Sequence, residues 1–454
     1  MTEPAASARS AALPRARLLA YAAPAVPLAL LGIPLTIYLP AMWTAPGRLS
    51  LASVGAVFGA VRLLDVFTDP LIGRLSDRLG RRKPLIGGAL IPLALGVLGL
   101  AFPPADAGVI WLAVAYALVT LGWTMLSLPY QAWGAELSEN YAERARITGW
   151  RESGTILGIT LSAALPAAFG LTALADGAAA SMRLLAAFTV VLAPPLVAVL
   201  LRAVPERRHA PRAPAPLWQA LRVAAANKPF RRLLLGWLVN GLANGLPAAL
   251  FFALMSAVLQ DPAASGPVLL AYFIAALAGM PVWMALARRI GKHRAWVLAM
   301  AVSAGSFAFV PLLGAGDVGA FVAISLVSGL GYGADLSLPP AIQADVVDLD
   351  ELASGEQRAG LFFAAWTMAQ KAGNAAAPAI ALPLLQWAGF RPDGPNTHFG
   401  IGALFAFYCI IPLILKLGVM ALMWQFPLDA ETQSRLRAAI DARTTAPEGA
   451  SITA

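Results

Sequence analysis

Residues 62–83 read RLLDVFTDPLIGRLSDRLGRRK, a segment that begins inside a hydrophobic run and leaves it through a cluster of positive charge. Asp65 and Asp69 are four residues apart, so on a helix they share one face, one turn above the other. A carboxylate at the centre of a bilayer-spanning helix costs roughly 2.5 to 3.5 kcal/mol on insertion scales. Two on one face imply a cation or proton site.

The surrounding composition is that of a protein that lives in lipid. Of 454 residues, 59% are hydrophobic and 13% charged, with a mean hydropathy of +0.70; soluble domains carry roughly a quarter charged residues. A water-soluble class is excluded. Twelve apolar segments are legible, at 18–43, 51–72, 84–103, 108–136, 150–172, 184–202, 233–259, 267–287, 295–315, 318–342, 360–388 and 399–425. Each approaches or exceeds the ~20 residues that cross ~30 Å of hydrocarbon. The fold class predicted is an all-α membrane protein of twelve transmembrane helices.

The net charge of +9 raises the question of nucleic acid. Its distribution answers it: 26 of the 33 Lys and Arg fall in the N-terminus, the loops after even-numbered segments and the C-terminal tail. By the positive-inside rule both termini are cytoplasmic, and the basic surplus is topology. The expected location is the cell inner membrane. The single Cys409 forms no internal disulfide, and His209, His293 and His398 are too scattered for a metal site. No P-loop is present, so ATP coupling and enzymatic turnover are not expected, nor is any cofactor.

In chain order, residues 1–17 form a short cytoplasmic tail, and segment 1, with Pro24, Pro27, Pro34 and Pro40 and no charge, is predicted to be kinked and to face protein or a cavity. The loop after segment 2, from Gly73 to Lys83, holds Asp77, Arg78, Gly80, Arg81 and Arg82. Its spacing resembles the cytoplasmic signature loop of the major facilitator superfamily, G-x-x-x-D-R-x-G-R-[RK]-[RK]. An internal repeat points the same way: Pro70 through Lys83 matches Pro281 through Arg294 at an offset of 211, and Leu-Ser-Leu-Pro recurs at 126–129 and 336–339. The resemblance implies two pseudo-symmetric six-helix bundles, 18–202 and 233–425, related by an axis along the membrane normal. Between them lies a central cytoplasmic loop, 203–232, read as a tether with one surface helix over 217–226, and residues 426–454 form a cytoplasmic tail.

A narrower resemblance rests on Arg62-x-x-Asp65-x-x-x-Asp69-Pro70-x-x-Gly73, on Asp345-x-x-Asp348 followed by Gly355-x-x-Arg358, on Lys371, and on Asn227-Lys-Pro-Phe-Arg231. Together these resemble the glycoside-pentoside-hexuronide:cation symporters, the family of the melibiose permeases. The resemblance implies that Asp65 and Asp69 bind the coupling cation, with Thr124 and Ser127 as hydroxyl ligands. Na⁺ would want such an oxygen cage, and no metal beyond a Na⁺ at Asp65 and Asp69 is expected; a proton would need one carboxylate, whose neutral form burial favours. Both ions remain open, because Ser127 stands where the melibiose permeases have a third acid. Arg151 and Lys371 match basic substrate positions, and Asp335 is a further intramembrane acid placed to pair with either base. Tyr130 and Trp366 are candidates to stack on a sugar face, with packing as their plainer role.

Segment 1 lacks the family's sugar-binding acid, so the pocket keeps bases and loses acids, which points to an anionic solute. Glu136, Asp345 and Asp348, with Arg144, Arg146 and Arg358, are placed to form ion pairs that latch the cytoplasmic face, together with Asp77, Arg78 and Arg81. The expected function is a symporter driven by H⁺ or Na⁺ that moves a small polar, glycosidic solute by alternating access. The partners expected are solute, monovalent cation and bilayer, with no nucleic acid and no obligate protein partner, the carrier acting as a monomer. The alternatives are a lysophospholipid carrier of the same superfamily and a non-transporting sensor or assembly factor.

Overall fold

A computed structural model of the chain describes residues 13–45, 47–138, 141–171, 176–206, 222, 226–354, 359–392 and 394–427. Among these the regular structure is helical throughout. Twelve helical elements follow one another: α1 (Arg15–Trp43), α2 (Leu51–Leu79), α3 (Lys83–Ala101), α4 (Val109–Glu136), α5 (Tyr141–Ala168) and α6 (Gly177–Ala203). Then come α7 (Lys228–Ala257), α8 (Ser265–Ile290), α9 (Lys292–Phe307), α10 (Val318–Ser354), α11 (Ala359–Trp387) and α12 (His398–Trp424). Nine of these are long and apolar enough to cross a membrane by composition. The three that fall short, α2, α5 and α11, carry Arg62, Asp65, Asp69, Arg151, Glu152 and Lys371.

Several helices outrun their hydrophobic segments. Helix α2 continues to Leu79 where the apolar run ends near 72, α5 begins at Tyr141 where 150 is expected, and α10 runs to Ser354 instead of 342. Hydropathy marks where lipid ends, whereas a helix stops where its backbone bonding is interrupted, so polar turns extend the rods into water. Asp77 and Arg78 therefore lie within α2, and the connecting turn is confined to Gly80–Arg82. The expected surface helix at 217–226 lies almost wholly outside the described residues, as do the termini.

Helix α1 is broken as its prolines demand. It comprises Arg15–Ala22, Ala25–Leu30, a π-turn over Pro34–Tyr38 and Leu39–Trp43. It is also the most buried of the nine apolar spans. Pro34 has no N–H to offer the carbonyl of Leu30 four residues earlier. The Ser162 hydroxyl of α5 donates to that carbonyl instead, at 2.8 Å in a buried contact. Ser162 ends a stripe with Gly154 and Gly158 at four-residue spacing. A Cβ at Gly154 would stand 2.6 Å from the Ala22 carbonyl oxygen, and one at Gly158 2.4 Å from that of Val26. The small residues of α5 thus let its backbone lie directly on α1, the close approach on which helix association in lipid depends.

The described residues divide into two compact units, one drawn from 1–214, 248–270 and 378–404, the other from 215–247, 271–377 and 405–454. In the second, α8 and α10 make the same kind of contact: a Cβ at Gly329 or Gly333 would lie 2.3 Å from the carbonyl oxygens of Tyr272 or Ala276. Its buried core gathers Phe230, Trp237, Trp296, Phe362 and Trp366.

These contacts order the effects of two substitutions. Ser162→Ala removes one hydrogen bond, worth roughly 1 kcal/mol in a membrane bundle. Gly158→Ala forces the α1 and α5 backbones apart and lowers the thermal unfolding midpoint in detergent further than Ser162→Ala does. A Gly158→Ala protein as stable as wild type would contradict the packing.

Candidate functional site

Helix α2 carries its two acids on one face, as the four-residue spacing requires. Asp65 is buried, and its Oδ2 lies 3.5 Å from Nη1 of Arg62 one turn earlier. Arg62 is held in turn by α4: its Nε donates to the Tyr116 hydroxyl at 3.1 Å, and its guanidinium lies 5.7 Å from the ring centroid. Asp69 accepts a hydrogen bond of 2.9 Å from the buried Thr124 hydroxyl of α4. The Asp69–Thr124 hydrogen bond thus joins α2 to α4 one turn along the same face from the buried Asp65, where a cation site is expected. Ser127, three residues beyond Thr124, is half-buried, and among the described residues no hydrogen bond ties it to either carboxylate.

The expected substrate residues have different settings. Arg151 turns its fork onto its neighbour Glu152, donating from Nη2 at 2.6 Å and from Nε at 3.1 Å to one carboxylate oxygen. Tyr130 is fully buried, its ring 4.8 Å from that of Tyr21, and its hydroxyl donates to the Tyr21 carbonyl. Trp366 stacks on Trp237 at 4.6 Å, inside the core of the second unit. Both aromatics are packing residues here, because a ring enclosed on its faces has none left for a sugar. Lys371 lies half-buried on α11.

Asp335 is expected to pair with Arg151 or Lys371. Its partners among the described residues are instead Trp296, whose Nε1 donates to Oδ1 at 2.5 Å, Asn244, whose Nδ2 donates to Oδ2 at 2.8 Å, and Lys416, whose Nζ lies 3.6 Å from Oδ2. Lys416 is a basic residue inside the apolar span of α12, a position that the sequence motifs do not mark. The rule that singles out Asp335, that an ionisable group in lipid needs a partner, applies equally to it.

At the turns after α2 and α8 the two halves echo each other. Gly80 and Gly291, matched by the sequence repeat, both adopt positive φ, +58° and +91°, the left-handed turn that glycine permits. Arg82 donates to Glu136 at 2.9 Å, and Lys292 to Asp345 at 2.7 Å. These described pairs join each acid to the basic turn of its own half, through Arg82 and Lys292. Arg146 pairs with Glu143 at 3.2 Å and donates to the Leu13 carbonyl. Arg78 and Arg81 are exposed. The side chains of Asp77 and Arg144, and Arg358 altogether, lie outside the described residues.

Residues 20–430 match the family model described as MFS/sugar transport protein. The chain belongs to this family. It is a multi-pass membrane transporter, not an enzyme, and its resemblance to the glycoside-pentoside-hexuronide:cation symporters holds. An uncharacterised symporter of Synechocystis is 26% identical, over 90% of this chain and 93% of the relative. A sodium-dependent lysophosphatidylcholine symporter of Xenopus tropicalis is 23% identical, covering 84% and 81%. A glucuronide carrier protein homolog of Escherichia coli is 22% identical, covering 90% and 91%. The crystal structure of an aspartate-to-alanine mutant of a nucleoside transporter, NupG, superposes with a TM-score of 0.63 at 14% identity, over 90% of this chain and 99% of that one. At that identity the likeness is one of fold.

The packing role of Tyr130 in this MFS transporter has a direct check. Tyr130→Phe removes a buried hydrogen bond worth roughly 1 kcal/mol, lowers the unfolding midpoint and leaves solute affinity unchanged. A selective loss of affinity at unchanged stability would return Tyr130 to the binding site.

Proposed function

We propose that this chain is a cation-coupled symporter that carries a small polar, glycosidic solute across the bacterial inner membrane by alternating access, with both termini cytoplasmic. The observation that carries this reading is the hydrogen bond of Thr124 to Asp69, one turn along α2 from the buried Asp65. A hard monovalent cation seeks several oxygens, and the Thr124 hydroxyl can turn its lone pairs toward such an ion as readily as its proton toward Asp69. A proton would occupy a single carboxylate. Relatives described as symporters support coupling, and the sugar-transport family supports the solute class.

The ion pairs Arg82–Glu136 and Lys292–Asp345 fit a role as clips that stiffen the cytoplasmic end of each half and bias the equilibrium between its states. A second reading, transport of a lysophospholipid, is favoured by the Xenopus relative and by the uncharged, apolar residues 18–43 of α1.

Proteoliposome flux separates these. The symporter reading expects accumulation of a glycosidic solute against its gradient, driven by a Na⁺ or pH gradient, and little flux of lysophosphatidylcholine. Asp69→Asn is expected to abolish accumulation, and Thr124→Val to raise the cation requirement about tenfold, the worth of one charge-assisted hydrogen bond or ligand. Full accumulation by Asp69→Asn would end the proposal.

A further inference from the structure

The second unit contains a polar cluster that the cation site does not use. Asp335 and Lys416 are 4% and 7% exposed, and Asn240 is wholly buried. Lys416 Nζ donates to Asn240 Oδ1 at 3.1 Å. That contact fixes the amide's orientation, since an ammonium only donates and must face the oxygen. The consequence is that Asn240 Nδ2 points elsewhere, and it is buried with no hydrogen-bond partner. Asp335, by contrast, is well supplied, with Trp296 and Asn244 at 2.5 and 2.8 Å. Lys416 stands 3.6 Å from it, beyond hydrogen-bond reach.

A cavity of about 40 Å³ adjoins the cluster, lined by Lys416, Asn244, Tyr272, Ser303 and apolar residues including Phe307. That is room for a few waters or one small polar group. The Lys416 ammonium on the wall is held by one firm hydrogen bond, Tyr272 and Ser303 bring hydroxyls to the same wall, and the unpartnered Asn240 amide lies next to Lys416 rather than in the lining. A group with two acceptor oxygens and a negative charge complements these donors, and a carboxylate has that chemistry and size.

Charge then decides what must accompany it. Asp335 and Lys416 sum to zero, so a carboxylate entering alone would leave one net negative charge in a low-dielectric interior. A proton on Asp335 restores neutrality. The other titratable groups facing Asp335 are Tyr272 of α8 and Tyr332 of α10, whose rings are 5.6 Å apart; Trp296 of α9 and Asn244 of α7 face it without titrating. We propose that Lys416, with Asn240 and the adjoining cavity, binds the carboxylate of an acidic solute, and that Asp335 takes up one proton as Lys416 is transferred from it to the solute. The balance is RCOO⁻ plus H⁺ plus the Asp335⁻/Lys416⁺ pair, giving neutral Asp335 beside a Lys416⁺/⁻OOCR pair. The Trp296 and Asn244 donors remain on Asp335, and its new O–H faces the bound carboxylate. The proposal rests on the symporter reading for its purpose, and it names the solute as a carboxylate.

The test is binding of acetate and glucuronate to the purified full chain by calorimetry, with glucose as the neutral control and proton uptake followed in weak buffer. Wild type is expected to bind both acids but not glucose, taking up one proton per carboxylate. Asp335→Asn, which mimics the protonated acid, should still bind but take up no proton. Lys416→Met should weaken binding about tenfold or more. Either single variant risks misfolding, so Asp335→Asn/Lys416→Met, which removes both buried charges together, provides the control: it should fold and fail to bind. Carboxylate binding by that double variant, or its absence in wild type, overturns the proposal. Binding with proton uptake but no flux in proteoliposomes would sink the symporter reading and leave the site standing; glucuronate accumulation undiminished in the double variant would do the reverse.

Discussion

Hydrocarbon offers an ionised side chain neither water nor a counter-ion, so each charge within the spans must find its compensation in the protein. The described contacts follow from that constraint. Asp65 has Arg62, Asp69 has Thr124, Arg151 has Glu152, and Asp335 has Trp296, Asn244 and Lys416. The backbone obeys the same rule. Pro34 deprives the Leu30 carbonyl of its donor, and Ser162 on another helix supplies one. Helices α2 and α5 can be less apolar than their neighbours because Arg62, Asp65, Asp69 and Arg151 have such partners beside them.

The same solvent removes the usual reason for helices to associate, since lipid tails are as apolar as leucine. What remains is close contact and satisfied polar atoms. The Gly154, Gly158, Ser162 stripe provides both at once: two positions where a Cβ would collide with an α1 carbonyl, then a hydroxyl that bonds to the next one. In the second unit Gly329 and Gly333 bring α10 against α8, and this contact sets Tyr272 beside the cavity that Lys416 lines. Packing and site chemistry are thus laid down by the same few small residues.

The arrangement of twelve helices was legible because a bilayer demands long apolar segments and sorts Lys and Arg by side. The shared face of Asp65 and Asp69, on which the proposed cation site rests, was legible because residues four apart lie on one side of a helix. Helix ends were not legible at α2, α5 and α10, where polar turns prolong the rods beyond the lipid. The partner of Asp335 was missed for a different reason. Intramembrane charges were weighed by resemblance to known positions, which favoured Arg151 and Lys371, and spacing cannot reveal which of three distant bases lies within 4 Å of an acid. Nor could it foretell that Tyr130 and Trp366 would be closed off by Tyr21 and Trp237, because an aromatic's partner is set by tertiary packing.

The ion pairs differ in how readily they exchange partners. Arg151 holds Glu152 with two short hydrogen bonds, and a ligand would have to replace both to take the guanidinium. Lys416 approaches Asp335 without a hydrogen bond, and that carboxylate keeps two other donors when Lys416 leaves. A cation so held can be transferred to an anion at the cost of neutralising one acid. Within the membrane part of α2 the side chains Arg62, Asp65 and Asp69 sum to one negative charge, so an arriving monovalent cation offsets the charge of that group of three. In each cluster a positive ion offsets a carboxylate in a medium that screens it poorly: one of the α2 acids in the first, and in the second the negative charge that an entering carboxylate brings. One downhill proton gradient is therefore chemically suited to serve either.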